Sequence, residues 1–186
     1  MNVLSRMILA MDDHKDHDVI VRITGDDLLI DSDYLKKTIE CHLETNAHYT
    51  SAKDLPMGVE VEVFSSGVLR FIHDFAKDSS GSEYLMNYII NNADQFNISR
   101  LKVSERHAKK IRLTLDTKED YLVIDKLLTQ MKAIGKEYTY DLDDIIDFFE
   151  KNPSIKCLNS ETKKKSSPMA ISTEIDWSKF SSLTRS

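Results

Sequence analysis

Apolar residues along this chain recur at helical spacing, then at strand spacing, and the two alternate. Val3, Leu4, Met7, Ile8 and Met11 fall three and four apart, which predicts an amphipathic helix at the start. Residues 19–23 form a short β-branched run, the pattern of a buried strand, and lead into Thr24-Gly25-Asp26-Asp27. Asp31 or Ser32 caps a helix through His42, with Leu35, Ile39 and Leu43 on its inner face. Val59, Val61 and Val63 alternate with Glu60 and Glu62, predicting a strand with one apolar and one acidic face. Ser65 or Ser66 then caps a helix carrying Val68, Leu69, Ile72, Phe75 and Ala76, and another helix covers residues 83–91.

Two further strands are predicted over residues 98–103 and 111–115. Thr117 and Asp120 have capping-box spacing at the head of a long helix to Ala133, which Gly135 ends. Asp141 caps a last helix with Leu142, Ile145, Ile146 and Phe149 inward, and Pro153 stops it. This alternation predicts α/β layers. From Asn159 the composition changes to a lysine run followed by a Ser/Thr-rich stretch, which buries too little apolar surface to fold alone. Residues 1–158 are therefore expected to form the domain and 159–186 a flexible tail or linker. Ile175, Trp177 and Phe180 are the tail's candidates for docking on a neighbouring surface.

Composition narrows the class. No apolar run approaches the roughly 18 residues of a membrane span. The start lacks a basic leader and cleavage site, so a cytoplasmic protein is expected. Cys41 and Cys157 belong to no C-x-x-C pair, which leaves two buried, reduced thiols as the simplest expectation. The net charge is −6, but residues 151–186 hold seven Lys or Arg against three acids, leaving −10 on residues 1–150. An acidic body argues against nucleic-acid binding, which needs clustered basic residues. A phosphorylated ligand there would need a cation, and magnesium suits phosphate.

Two aspartates follow predicted strands: Asp26 after residues 19–23, and Asp116 after residues 111–115. Ligands of open α/β sheets bind beyond the carboxyl ends of the strands. Carboxylates delivered there from two strands can share one magnesium ion. The alternative for each is a cap on the turn or helix that follows. Glu60 and Glu62 share a strand face that either binds substrate or meets solvent, and Gly58 marks a turn or a close backbone approach. The acidic and histidine-rich run at residues 12–18 is expected to be a solvated loop rather than a metal site. His48, His73 and His107 lack partners at catalytic spacing, so structural or surface roles are expected. The five glycines form no phosphate-cradling loop.

Several blocks together resemble a known family. Arg22-Ile23-Thr24-Gly25-Asp26-Asp27-Leu28-Leu29-Ile30-Asp31 resembles the R-I-T-G-D-x-P-L-I-D block of spore-coat-polysaccharide-type and acylneuraminate-type cytidylyltransferases. Asn2-Val3-Leu4-Ser5-Arg6 resembles their D-V-L-x-R, Tyr49-Thr50-Ser51 their D-Y-T-S, and Pro56 to Phe64 their P-x-G-x-D-V-E-V-F. Arg112 to Tyr121 is similar to R-L-T-V-D-T-P-E-D-Y. The resemblance implies a Rossmann-like α/β nucleotide-diphospho-sugar-transferase (GT-A-like) three-layer sandwich. It also implies magnesium-dependent transfer of CMP from CTP to a sugar or sugar acid for surface polysaccharide biosynthesis. Asp26 and Asp116 would then be the magnesium ligands. Tyr49, Thr50, Ser51 and Glu62 would lie on the acceptor side, with Arg22, Thr24, Gly25 and Glu60 as further nucleotide- or substrate-binding candidates.

Some features depart from the family pattern. Leu28 replaces its proline, Glu60 its aspartate, and Ser82 to Tyr88 lacks the Arg, His and Thr of its R-E-H-V-T-x-Y. The family's first strand and CTP-binding loop have no counterpart, so the fold is expected to be N-terminally incomplete, with an open sheet edge that could form a homodimer. The altered acceptor block and the missing loop keep a second reading open, a non-catalytic module binding a sugar or a partner.

Overall fold

The computed structural model describes residues 2–162 save 12, 14 and 17, together with 172–179. Polar side chains set most helix starts. Asn2 accepts the Ser5 N–H to begin α1 (Val3–Ala10), and Asp31 accepts the Tyr34 N–H to begin α2 (Ser32–Glu44). Between them runs β1 (Val19–Arg22). β2 (Tyr49–Ser51) and β3 (Glu62–Ser65) follow, and β3 continues directly into α3 (Ser66–Phe75). A 3₁₀ turn at Ser82–Tyr84 enters α4 (Leu85–Ile90), and β4 (Ile98–Arg100) completes the strands. The predicted capping box is present: Thr117 and Asp120 bond reciprocally at the head of α5 (Lys118–Ala133). Asp141 and Asp144 do the same for α6 (Leu142–Lys151), and Pro153 opens a short α7 (Pro153–Cys157). Gly135, at φ +75°, supplies the left-handed turn after α5.

The sheet order is β1-β3-β2-β4. β2 and β4 are parallel, while β3 runs antiparallel to both β1 and β2. β1 ends the sheet, and its outer edge has no strand partner among the described residues. Successive side chains alternate between faces. Tyr49 and Phe64 lie on one face, in a core with Leu4, Leu69, Ile72, Leu85 and Tyr88 from α1, α3 and α4. Thr50 points to the other face, where its hydroxyl meets His42 of α2. The result is a layered, Rossmann-like α/β arrangement. A second core joins Val59, Ile111 and Leu113 to the inner faces of α5 and α6.

Three local expectations are corrected. The inner face of α2 is Tyr34, Thr38 and His42, while Leu43 is exposed. His42 is sheltered because its Nδ1 pairs with Thr50, and Thr38 because its hydroxyl donates to the Tyr34 carbonyl. The strand predicted from the alternating valines begins only at Glu62, because a turn from Pro56 to Val59 occupies its first half. Residues 111–115 form no strand: Met57 pairs with Arg112 as an isolated bridge, and the buried Ile111 and Leu113 face the helices rather than a sheet. The thiols also differ from expectation, for Cys41 is half-buried and Cys157 exposed.

The chain returns to the body at residues 172–179. Ile175 is buried and bridges Ala76, and the Trp177 ring stacks obliquely on Phe71 at 5.5 Å. Phe180 lies outside the described residues. So do Asp12, His14 and His17 of the acidic run, whose Asp16 and Asp18 carbonyls accept the Gly67 and Ser66 N–H groups at the start of α3.

Candidate functional site

A cavity of about 1080 Å³ opens at the end of the sheet where β1 and β2 finish and β3 begins. It is at the upper end of the roughly 300–1,000 Å³ usual for small-molecule sites. α1 lines one wall with Val3, Arg6 and Met7, and the backbone turn at Met57 and Gly58 lines another, beside Arg112, Thr114 and Asp116. Gly58 is needed there: at φ +90°, a Cβ would lie 2.4 Å from the Thr114 nitrogen. Its absence lets the two backbones touch, with Leu113 donating to the Met57 carbonyl at 2.7 Å.

The sheet delivers a polar row to this cavity. Arg22, Glu62 and Ser51 are register partners across β1, β3 and β2. Arg22 forms an ion pair with Glu62 and also donates to the Glu83 carbonyl, so its guanidinium is held at both ends. Tyr49 stands two residues from Ser51 on the same face, and its hydroxyl donates to Glu62 at 3.5 Å. Burial holds the Tyr49 phenol well above its ordinary pKa, so it stays neutral.

Past β1 the chain turns through Thr24, Gly25, Asp26 and Asp27, all of which line the cavity. The two carboxyls are pushed apart: proximity to Thr24 lowers Asp26, whereas burial raises Asp27 even though the Thr24 hydroxyl donates to it at 2.7 Å. Thr114 donates to Asp26 at 3.4 Å, and Leu115 donates its N–H to the Asp26 carbonyl. The turn is thereby tied to the segment that ends in Asp116. Asp116 in turn accepts Arg112 Nη2 at 2.7 Å. Arg112 also grips the fully buried Asp120 through two bonds. Burial alone would raise Asp120, but the bonds from Arg112 and Asn159 lower it to about 2.

Nine of the ten candidate residues thus meet in one cavity: Arg22, Thr24, Gly25, Asp26, Tyr49, Ser51, Glu60, Glu62 and Asp116. Thr50 stands apart, fully buried against α2. The three predicted structural histidines have such partners: His48 accepts the Asn97 N–H, His73 pairs with Asp74, and His107 with Tyr34 and Asp143. Sequence reasoning did not select Arg6, Asp27, Arg112, Asp120 or Asn159 for the site. Arg112 and Asp120 lay within the recognised block, but Asn159 carries no local signal at all.

Comparison with known proteins agrees with this geometry. A family model described as cytidylyltransferase matches residues 1–154. The chain belongs to the cytidylyltransferase family. Among its relatives, an uncharacterized protein of Methanocaldococcus jannaschii is 36% identical over 150 residues, covering 80% of this chain and 60% of that protein. The spore coat polysaccharide biosynthesis protein SpsF of Bacillus subtilis is 30% identical over 153 residues, covering 81% and 62% respectively. This cytidylyltransferase-family chain therefore spans about three-fifths of the length of those relatives. A solved cytidylyltransferase from Leptospira borgpetersenii is 25% identical with a TM-score of 0.73, over 88% of this chain and 67% of that one. The Rossmann-like nucleotidyltransferase fold follows. Among the described residues, no helix is long and apolar enough to cross a membrane.

Proposed function

We propose that the cavity carries out cytidylyl transfer, moving CMP from CTP to an oxygen of a sugar or sugar acid destined for a surface polysaccharide. The observation that supports this most is the convergence of Asp26 and Asp116, from two separate segments, on one cavity with the Arg22–Glu62–Tyr49 row. Oxygen-only carboxylate ligands suit magnesium, which needs one or two of them beside phosphate oxygens and water. Bound there, magnesium would offset phosphate charge in an otherwise acidic cavity. Arg6 makes no ion pair among the described residues and is placed to meet an anionic group. The neutral Tyr49 phenol and the Glu62 carboxylate are placed to orient acceptor hydroxyls.

In the reaction the acceptor oxygen forms a bond to the α-phosphorus. The bond from that phosphorus to the bridging oxygen breaks, pyrophosphate leaves with the electron pair, and the acceptor proton passes to water. Calorimetric titration with CTP, with and without magnesium, tests the reading. Binding should require magnesium and be lost in Asp26→Asn, whereas equal binding by that variant refutes the assignment. A module that only binds a sugar or a partner would take the ligand without releasing pyrophosphate, and a pyrophosphate assay separates the two.

A further inference from the structure

We infer that Asn159 is a positioning residue that fixes the aim of Asp116 through Arg112, a role resting on the cation reading above. Asn159 lies beyond the family-matched residues 1–154, yet only 2% of it is exposed. Its carboxamide nitrogen donates to Asp120 Oδ1 at 2.8 Å and to the Arg112 carbonyl at 3.1 Å, and so holds the two partners together.

The remaining bonds propagate that hold. Asp120 Oδ1 also accepts Arg112 Nε at 2.8 Å. Asp120 Oδ2 accepts Arg112 Nη2, the N–H groups of Asp116 and Thr117, and the Thr117 hydroxyl. Arg112 Nη2 then reaches Asp116 Oδ2 at the cavity wall. The side chains grade from wholly buried Asp120, through Arg112 at 9%, to Asp116 at 24% exposure. A guanidinium gripped twice by a buried carboxylate, on a residue whose own backbone carbonyl Asn159 also holds, has one orientation left for the carboxylate it presents. Partners that orient a metal-binding carboxylate are commonly worth about 10–100-fold in metal affinity. A residue that only stapled α5 would add stability without touching that affinity.

The test uses Mn²⁺ as the probe, with CTP present, followed by electron paramagnetic resonance on the full chain. Asn159→Ala should weaken Mn²⁺ binding by about tenfold, with helix content unchanged by circular dichroism. Asn159→Ser, which keeps one donor at shorter reach, should weaken it less and serves if the alanine variant does not fold. Arg112→Lys cannot bridge both carboxylates, and adding Asn159→Ala to it should cause no further loss. Wild-type binding that Asn159→Ala leaves within about twofold, or additive losses in the double variant, overturns the role of Asn159. Absence of Mn²⁺ binding by the wild-type protein instead overturns the cation site itself, and this role with it.

Discussion

Gly58→Ala provides a stringent test of how the cavity wall is built. The new Cβ would lie 2.4 Å from the Thr114 nitrogen, 2.5 Å from the Leu113 carbonyl carbon and 2.7 Å from its oxygen. These are backbone atoms, so no flexible side chain can move aside. Forcing such contacts apart costs about 1–3 kcal/mol. Holding an alanine at φ +90° adds about 1–2 kcal/mol. The expected loss is therefore about 2–5 kcal/mol, a large part of the roughly 5–15 kcal/mol that stabilises a typical domain. In a chain of 186 residues each kilocalorie moves Tm by about 2–4 °C, so a fall of about 4–20 °C is expected. Urea denaturation measures the free energy directly. Gly25→Ala is the internal control, because a Cβ there meets nothing within 4 Å, and it should change stability by less than about 0.5 kcal/mol. A Gly58→Ala protein within about 1 kcal/mol of wild type would refute the close approach.

Three other outcomes are expected. Burial holds His42 below its ordinary pKa, so the unfolded chain binds the proton more readily. Stability is then intact above about pH 6.5 and falls below it by at most about 1.4 kcal/mol per pH unit. Denaturation curves at pH 7.5 and 5.5 should show a smaller difference for His42→Gln, and an equal difference would remove His42 as the cause. Arg6→Ala should raise the Kd for CTP about tenfold while leaving Tm unchanged, a loss of about 1.4 kcal/mol. Calorimetry that finds the same Kd rules out this anion contact. Ile175→Ala should cost about 2 kcal/mol and shift the emission of Trp177, the sole tryptophan, to the red as it leaves Phe71. An unchanged spectrum would mean that Ile175 does not hold residues 172–179 in place.

Legibility in the sequence followed the range of the interactions. Helix starts were visible because Asp31, Thr117 and Asp141 bond N–H groups three residues away. Asp26 and Asp116 were visible because both follow β-branched or apolar runs, although only the first run is a strand. Alternation misled at residues 111–115, where Ile111 and Leu113 are buried by helices. Hydrophobicity misled in α2, since it ranks Leu43 above a histidine whose polarity is met by a threonine eight residues on. Asn159 meets Asp120 across 39 residues, and no periodicity encodes a contact of that kind.

The reversed direction of β3 has a consequence for how this cavity can diversify. Because β3 runs against its neighbours, the loop that enters it arrives at the same end of the sheet that β1 and β2 leave. The segment from Ala52 to Val61 anchors itself through buried Leu55 and Val59 and the Met57–Arg112 bridge. Its cavity-lining positions, Glu60 among them, can therefore change chemistry within the ligand space while every strand pair keeps its register. Under the proposed function, selectivity for one acceptor over another would be a property of a few cavity-lining positions on a constant frame. A graft of that segment between family members, with Gly58 retained, would be expected to move acceptor preference without refolding the sheet.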